Sequence, residues 1–190
     1  LNKAFADDPS FVSLTSGTQT GKTIIDQWHE LDLGGVWGLS NDMQTGEFAS
    51  KMGAKLEGSY AIGPLAGGDR YQTFADKYRD KTDEDPMPFT AEAYDAMNIV
   101  ALAAAAAGEN SPGAIAENLI DVSAPDGSTV SNYEDGLGAL EDGNSVDYEG
   151  ASGPVNFDTK GNVRSPFGQY TSDGGSWTLD AEIAAEDLTF

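Results

Sequence analysis

The sequence contains no cysteine and a single histidine. That removes disulfides, thiolate nucleophiles and zinc-finger sites, and leaves a Ser-His-Asp triad or a transition-metal cluster with little to draw on. Positive charge is scarce as well. Only 10 Lys and Arg stand against 32 Asp and Glu in 190 residues, a formal net charge of −22, so a surface built to neutralise nucleic-acid phosphates is excluded. No run of about 18 apolar residues occurs, and nothing reads as a membrane span. Hydrophobic content is not in short supply. At 39% hydrophobic and 9% aromatic residues the chain can bury a core, which separates it from the disordered class that charge alone would suggest. One domain or two small lobes fit this length.

The acid excess is spread along the whole chain, so it belongs to the entire surface rather than to a tail. Self-repulsion of that size destabilises the compact state in dilute buffer, whereas at 1 M salt the Debye length falls to about 3 Å and most of it is screened. Adaptation to concentrated salt is the reading that follows. A strongly acidic but ordinary protein, and a surface that collects divalent cations, are the plainer alternatives. The first residue is Leu1 and no signal peptide precedes the first strand, so a processed form or a fragment is expected.

Hydrophobic period divides the chain into three stretches. In the first, Phe11 to Ser16 is strand-like, Ile24, Ile25, Trp28 and Leu31 recur at helical spacing, Val36 to Leu39 is a second strand, Phe48, Ala49, Met52 and Leu56 mark a second helix, and Gly58 to Ile62 a third strand. Strands alternating with helices through short connections imply parallel pairing, with helices packed on the sheet. In the second stretch, Tyr71, Phe74, Ala75 and Tyr78 form one helix face. A long helix from about Ala91 to Ala107 ends at Gly108, and Ser111-Pro112 opens another with Ile115, Leu119 and Ile120 inward. A short helix is expected near Tyr133 to Leu140. From Val155 the period is two, with Val155 and Phe157 before the turn Asp158 to Asn162, then Val163, Phe167 and Tyr170, and finally Trp177 and Leu179, so the end reads as β-rich.

Several motifs carry more specific information. These are Val36-Trp37-Gly38-Leu39-Ser40-Asn41-Asp42 and Leu56-Glu57-Gly58-Ser59-Tyr60, then Phe74-Ala75-Asp76-Lys77-Tyr78 followed by Phe89-Thr90-Ala91-Glu92-Ala93-Tyr94-Asp95-Ala96. The last and most specific is Asp147-Tyr148-Glu149-Gly150-Ala151-Ser152-Gly153-Pro154-Val155-Asn156-Phe157-Asp158, continued to Val163. In order and spacing they resemble the C-terminal half of the type I periplasmic solute-binding proteins, the branched-chain amino-acid receptors of ABC importers. The resemblance implies an α/β fold of periplasmic-binding-protein-like type I lobes, with a parallel sheet flanked by helices and a β-rich C-terminal hairpin region. It places residues 1–63 in the second lobe, 64–164 in the first lobe as helices and a hairpin, and 165–190 back in the second. The family's N-terminal stretch, which supplies the first-lobe sheet and part of the second lobe, with an export signal and often a lipid-anchor cysteine, has no counterpart here, so a C-terminal portion of a longer receptor is expected.

In an open α/β sheet, loops leaving the carboxyl ends of neighbouring parallel strands converge on one crevice where ligands bind. Here those loops are Gly17-Thr18-Gln19 and Ser40-Asn41-Asp42, which offer hydroxyl, amide and carboxylate groups. The resemblance implies that they hold the ammonium group and side chain of a small amino-acid-like solute, with Asp42 as the ammonium partner and Ser40 or Asn41 as alternatives. Helix capping by Asp42 and Thr45, or by Thr18 and Gln19, explains the same residues without a ligand. The implied partners are that solute, the membrane permease of an ABC transporter and the N-terminal portion of the same receptor. The implied place is extracytoplasmic and lipid-anchored, with no enzyme activity, no cofactor and no nucleic acid.

Two other readings compete. A module of the same fold that lacks half its cleft would serve as a scaffold and bind no small molecule. Ser16-Gly17-Thr18-Gln19-Thr20-Gly21-Lys22-Thr23 stands one residue from the phosphate-cradling G-x-x-x-x-G-K-[ST] loop, with Ser16 where its first glycine belongs, which would make Lys22 a phosphate contact and Thr23 a magnesium ligand in a nucleotide hydrolase. His29 reads as a surface residue. The acidic turn Asp83 to Asp85 reads as solvated, with a bound cation as its alternative, and Asp158 to Asn162 lacks the ligand count of a calcium loop.

Overall fold

The structure, a computed structural model, describes residue 1 and residues 3–188. It is a mixed α/β fold in which parallel strands are flanked by helices. The chain divides into two compact units, Leu1–Pro64 with Pro166–Ala184, and Leu65–Ser165 with the stretch that starts at Ala185.

In the first unit, strands β1 (Phe11–Leu14), β2 (Val36–Leu39) and β3 (Tyr60–Pro64) run parallel, joined by helices α1 (Thr18–Glu30) and α2 (Gly46–Met52). The chain returns after the second unit as the hairpin β7 (Phe167–Ser172) and β8 (Trp177–Ile183), and the sheet order is β1-β2-β3-β7-β8. Alternation decides the faces. Val12, Leu14, Trp37, Leu39 and Ala61 point to the side where Ile25, Phe48, Met52 and Leu56 close a core from the helices. Gly21 belongs to that packing, since a Cβ there would overlap the Met43 sulfur. Thr45 starts α2 by accepting a hydrogen bond from the Phe48 amide at 3.2 Å, the capping expected of a hydroxyl at that position.

The second unit contains α3 (Gly68–Thr82), α4 (Thr90–Ala107), α5 (Pro112–Asn118), β4 (Ser128–Val130), α6 (Tyr133–Glu141), β5 (Val146–Gly150) and the two-residue β6 (Gly153–Pro154). Its core is Ile99, Leu102 and Ala103 of α4 against Val122, Val130, Val146 and Tyr148. Ser111 caps α5 by accepting from the Ala114 amide. Asp95 is 1% exposed and accepts four hydrogen bonds, from the Tyr148 hydroxyl at 2.9 Å, the Ala151 amide at 2.9 Å, the Ser152 amide at 2.7 Å and the Ser152 hydroxyl at 2.6 Å. Burial, then the Asp95 carboxylate, push the Tyr148 phenol far up. Gly150 is required by close approach, because a Cβ there would overlap the Asp95 carboxylate.

Asp147 is the opposite case. It is buried, its Oδ1 has no hydrogen-bond partner, and burial together with Glu149 pushes its carboxyl up, with Arg70 opposing. A carboxyl whose folded pKa exceeds its unfolded one costs stability wherever it ionises, so that cost is absent in acid and grows as pH rises through the raised value. Asp147→Asn is therefore expected to stabilise the protein by about 1 kcal/mol at pH 7. Urea midpoints measured from pH 4 to 7 check this, and the gain should shrink toward the acidic end.

Two expectations are corrected. Ile120 is 43% exposed rather than inward. The stretch around the Asp158 turn forms no ladder: the turn is there, with Asp158 accepting from the Lys160 and Asn162 amides, but neither Val155–Phe157 nor Val163 lies in a strand. The Val155 carbonyl accepts instead from the Ser123 hydroxyl, and Pro154 and Pro166 have no amide to donate.

Candidate functional site

Strands β1 and β2 are paired in register, Leu14 beside Leu39, so their carboxyl ends leave the sheet at the same edge. The Ser40 amide donates to the Leu14 carbonyl at 3.1 Å and the Ser40 hydroxyl to the Ser16 carbonyl at 3.4 Å, which ties the two outgoing loops together. Gly17 stands at the N-cap of α1 in extended conformation, and no side chain caps that helix. Thr18 and Gln19 form its first turn and are exposed. Ser40, Asn41 and Asp42 lead into a single 3₁₀ turn, Asn41–Met43, whose buried Met43 anchors it to the core.

A cavity of about 580 Å³ opens beside this junction. Ser40 and Asn41 line it, with Thr15, Ser13, Gly38, Tyr60, Ile62, Phe167 and Gln169. Gly17, Thr18, Gln19 and Asp42 lie outside its lining, on the neighbouring loops. Capping does not account for Asp42, since Thr45 takes that role for α2 and, among the described residues, no hydrogen bond or ion pair engages the Asp42 carboxylate. Sequence reasoning missed Thr15, Ser13, Tyr60, Phe167 and Gln169. Alternation along β1 and β3 could have put Ser13, Thr15, Tyr60 and Ile62 on one face, but nothing local brings Phe167 and Gln169 next to β3.

The phosphate-loop reading fails on geometry. Only residues 15–17 separate β1 from α1, so Lys22 lies in the second turn of the helix rather than at its N-terminus, with its ammonium 2.5 Å from Asp26. The Thr23 hydroxyl bonds the Gln19 carbonyl within the helix. Lys22 and then Lys55 hold the Asp26 carboxyl below its usual range. His29 is exposed. Among the described residues no three His, Asp or Glu gather as a metal site, and no helix is long and apolar enough to cross a membrane.

No family model matches the sequence. A substrate-binding protein of a chemotactic signal transduction system, BasB from Halobacterium salinarum, is 26% identical over 160 residues, which are 83% of this chain and 37% of that protein. Among solved structures, the leucine-binding protein LivK from Thermotoga maritima superposes with a TM-score of 0.72 at 21% identity, over 98% of this chain and 48% of that one. A solute-binding protein of an ABC transporter from Rhodopseudomonas palustris, in complex with benzoate, superposes with a TM-score of 0.62 at 13% identity, over 98% and 47%. The chain thus spans about half the length of the solved structures it matches, and its fold is that of type I periplasmic binding proteins.

Proposed function

We propose that this chain, folded as part of a type I periplasmic binding protein, contributes one wall of the solute site of an extracytoplasmic receptor that serves an ABC importer. The observation that carries this reading is the junction of the two loops that leave β1 and β2. It gathers Gly17, Thr18, Gln19, Ser40, Asn41 and Asp42 at one sheet edge, with hydroxyl, amide and carboxylate groups of which the Ser40 hydroxyl already bonds the Ser16 carbonyl. A small amino-acid-like or amide-like solute suits these groups, and a branched-chain amino acid is the first candidate. The Asp42 carboxylate receives its ammonium group, and the hydroxyl and amide groups of Thr18, Ser40 and Asn41 bond its polar atoms. The receptor delivers the solute to a membrane permease, is held at the cell surface by a lipid anchor, and performs no catalysis.

The test is calorimetry of the full-length gene product in about 2 M potassium chloride with leucine, isoleucine, valine and benzoate. Binding of at least one amino acid is expected, and Asp42→Asn should weaken it by about 10- to 100-fold, the worth of a charge-assisted hydrogen bond. A carboxylate without an ammonium group should be indifferent to that substitution. Silence across the panel would remove the receptor reading and leave an interaction module of the same fold.

A further inference from the structure

Cations are scarce in this chain, and they are unevenly placed. Four of the ten Lys and Arg, namely Arg70, Lys77, Arg79 and Lys81, stand on the 15-residue helix α3. Arg79 is spent on Asp76 and Asp85, and Arg70 on Glu149. Lys77 and Lys81 are exposed and, among the described residues, no ion pair or hydrogen bond engages either. They stand four residues apart on one helix face, where two like charges repel and cost the helix stability. The acids of α3, Asp69, Asp76 and Asp80, gather about 100° round the helix from them. Both lysines face a cavity of about 690 Å³ in the second unit, lined by α3, α4 and the start of α6. Its apolar wall is an aromatic cluster, in which the Phe74 ring centroid lies 5.1 Å from that of Tyr94 and 5.9 Å from that of Tyr78. The polar groups on the α3 and α4 walls are donors. Among the described residues the hydroxyls of Tyr78 and Tyr94 make no hydrogen bond. Asn98, 8% exposed, accepts from the Tyr133 amide at 2.7 Å and donates to the Tyr94 carbonyl at 2.8 Å. A carboxamide has two N–H bonds, so one is left for the cavity that Asn98 lines.

We propose that this cavity binds a small organic anion with a flat apolar body, an aromatic carboxylate or phosphate ester. The charged head is held by the ammonium groups of Lys77 and Lys81, which act as compact point charges on three rotatable donors each. The ring packs against Phe74 and Tyr94, offset or edge-on as aromatic pairs prefer. Glu134 and Asp135 line the cavity where α6 begins, and their charge turns the anionic head away from that side toward α3. The volume lies within the usual range for small-molecule sites, about 300–1,000 Å³. Over most of its surface a chain of net charge −22 repels an anion, so two unspent lysines beside an aromatic wall are the place where one can settle. This inference does not depend on the solute held at the junction of the β1 and β2 loops.

The test is a ligand-observed NMR titration of the full-length gene product in about 1 M potassium chloride, with phenyl phosphate, benzoate, inorganic phosphate and phenol. Phenyl phosphate or benzoate should bind, the tighter of the two naming the head group. Inorganic phosphate, which lacks the ring, and phenol, which lacks the charge, should bind at least about 10-fold more weakly. Lys77→Gln combined with Lys81→Gln should weaken binding by about 10- to 100-fold, and Tyr94→Leu by about 3- to 10-fold. Lys51→Gln, on α2 of the other unit, should leave it unchanged. The two lysines are exposed, so the double variant should keep the wild-type urea midpoint. Equal affinity in the double variant and the wild type would assign the anion to another site and overturn the proposal. Silence across all four probes, or phenol binding as tightly as benzoate and phenyl phosphate, would overturn it too. Leucine calorimetry should be the same in the double variant and the wild type, so this proposal and the receptor reading fall separately.

Discussion

Asp95→Ala is expected to cost about 3–5 kcal/mol of stability in urea or guanidinium unfolding, the largest effect of any single substitution considered. The carboxylate is 1% exposed and accepts from two backbone amides, one serine hydroxyl and one tyrosine hydroxyl. Its removal strands those donors in a site that water cannot reach, and each buried unsatisfied group costs about 1–3 kcal/mol. The loss falls on one junction, because these bonds fasten α4 to β5 and to the turn at Ala151 and Ser152. Asp95→Asn keeps the volume but turns an amide NH₂ toward donors, so about 2–3 kcal/mol is expected. Tyr148→Phe removes one bond and leaves three acceptor contacts, so about 1 kcal/mol is expected. Gly150→Ala should resemble Asp95→Ala, since its Cβ occupies the carboxylate's place. Four similar small losses would show that the network is incidental.

Raising potassium chloride from about 0.05 M to 2 M is expected to raise the thermal midpoint by about 10 °C or more. That is the shift that roughly 3–4 kcal/mol produces in a chain of this size. Among the described residues Lys22, Lys51, Lys55, Arg70 and Arg79 take part in ion pairs, and with 32 acids against 10 Lys and Arg on the chain the carboxylates outnumber any cations that could pair them. Their repulsion is long-ranged in dilute buffer and confined to about 3 Å at 1 M salt. Screening should act mainly below about 1 M, which separates it from the slower, continuing effect of excluded salts on apolar burial. Scanning calorimetry across the series checks both size and shape, and a flat midpoint would end the reading of salt adaptation.

Much of the fold was legible in the sequence, element by element. The alternation of period two and period 3.6 between Phe11 and Pro64 marked three strands and two helices, and the cap residues Thr45 and Ser111 perform as their chemistry predicts. The loops after β1 and β2 were legible as neighbours, because short parallel crossovers leave few alternatives. The Asp158 turn was legible as a turn and misleading as a hairpin. Its local hydrogen bonds are intact, but pairing of its flanks is decided by partners elsewhere, here the Ser123 hydroxyl on the Val155 carbonyl.

The sequence alone determined which residues alternate, where helices start and stop, and the charge of the surface, since these depend on neighbours a few positions away. Tertiary structure decided which strands lie side by side, and with that everything that needs residues far apart in the chain. Phe167 and Gln169 reach the cavity only because β7 pairs antiparallel with β3 more than 100 residues upstream. Asp95 finds its donors only because β5 and the following turn fold back onto α4. Period says which way a side chain points, but the element it meets is chosen by nonlocal pairing and burial, which no local pattern encodes.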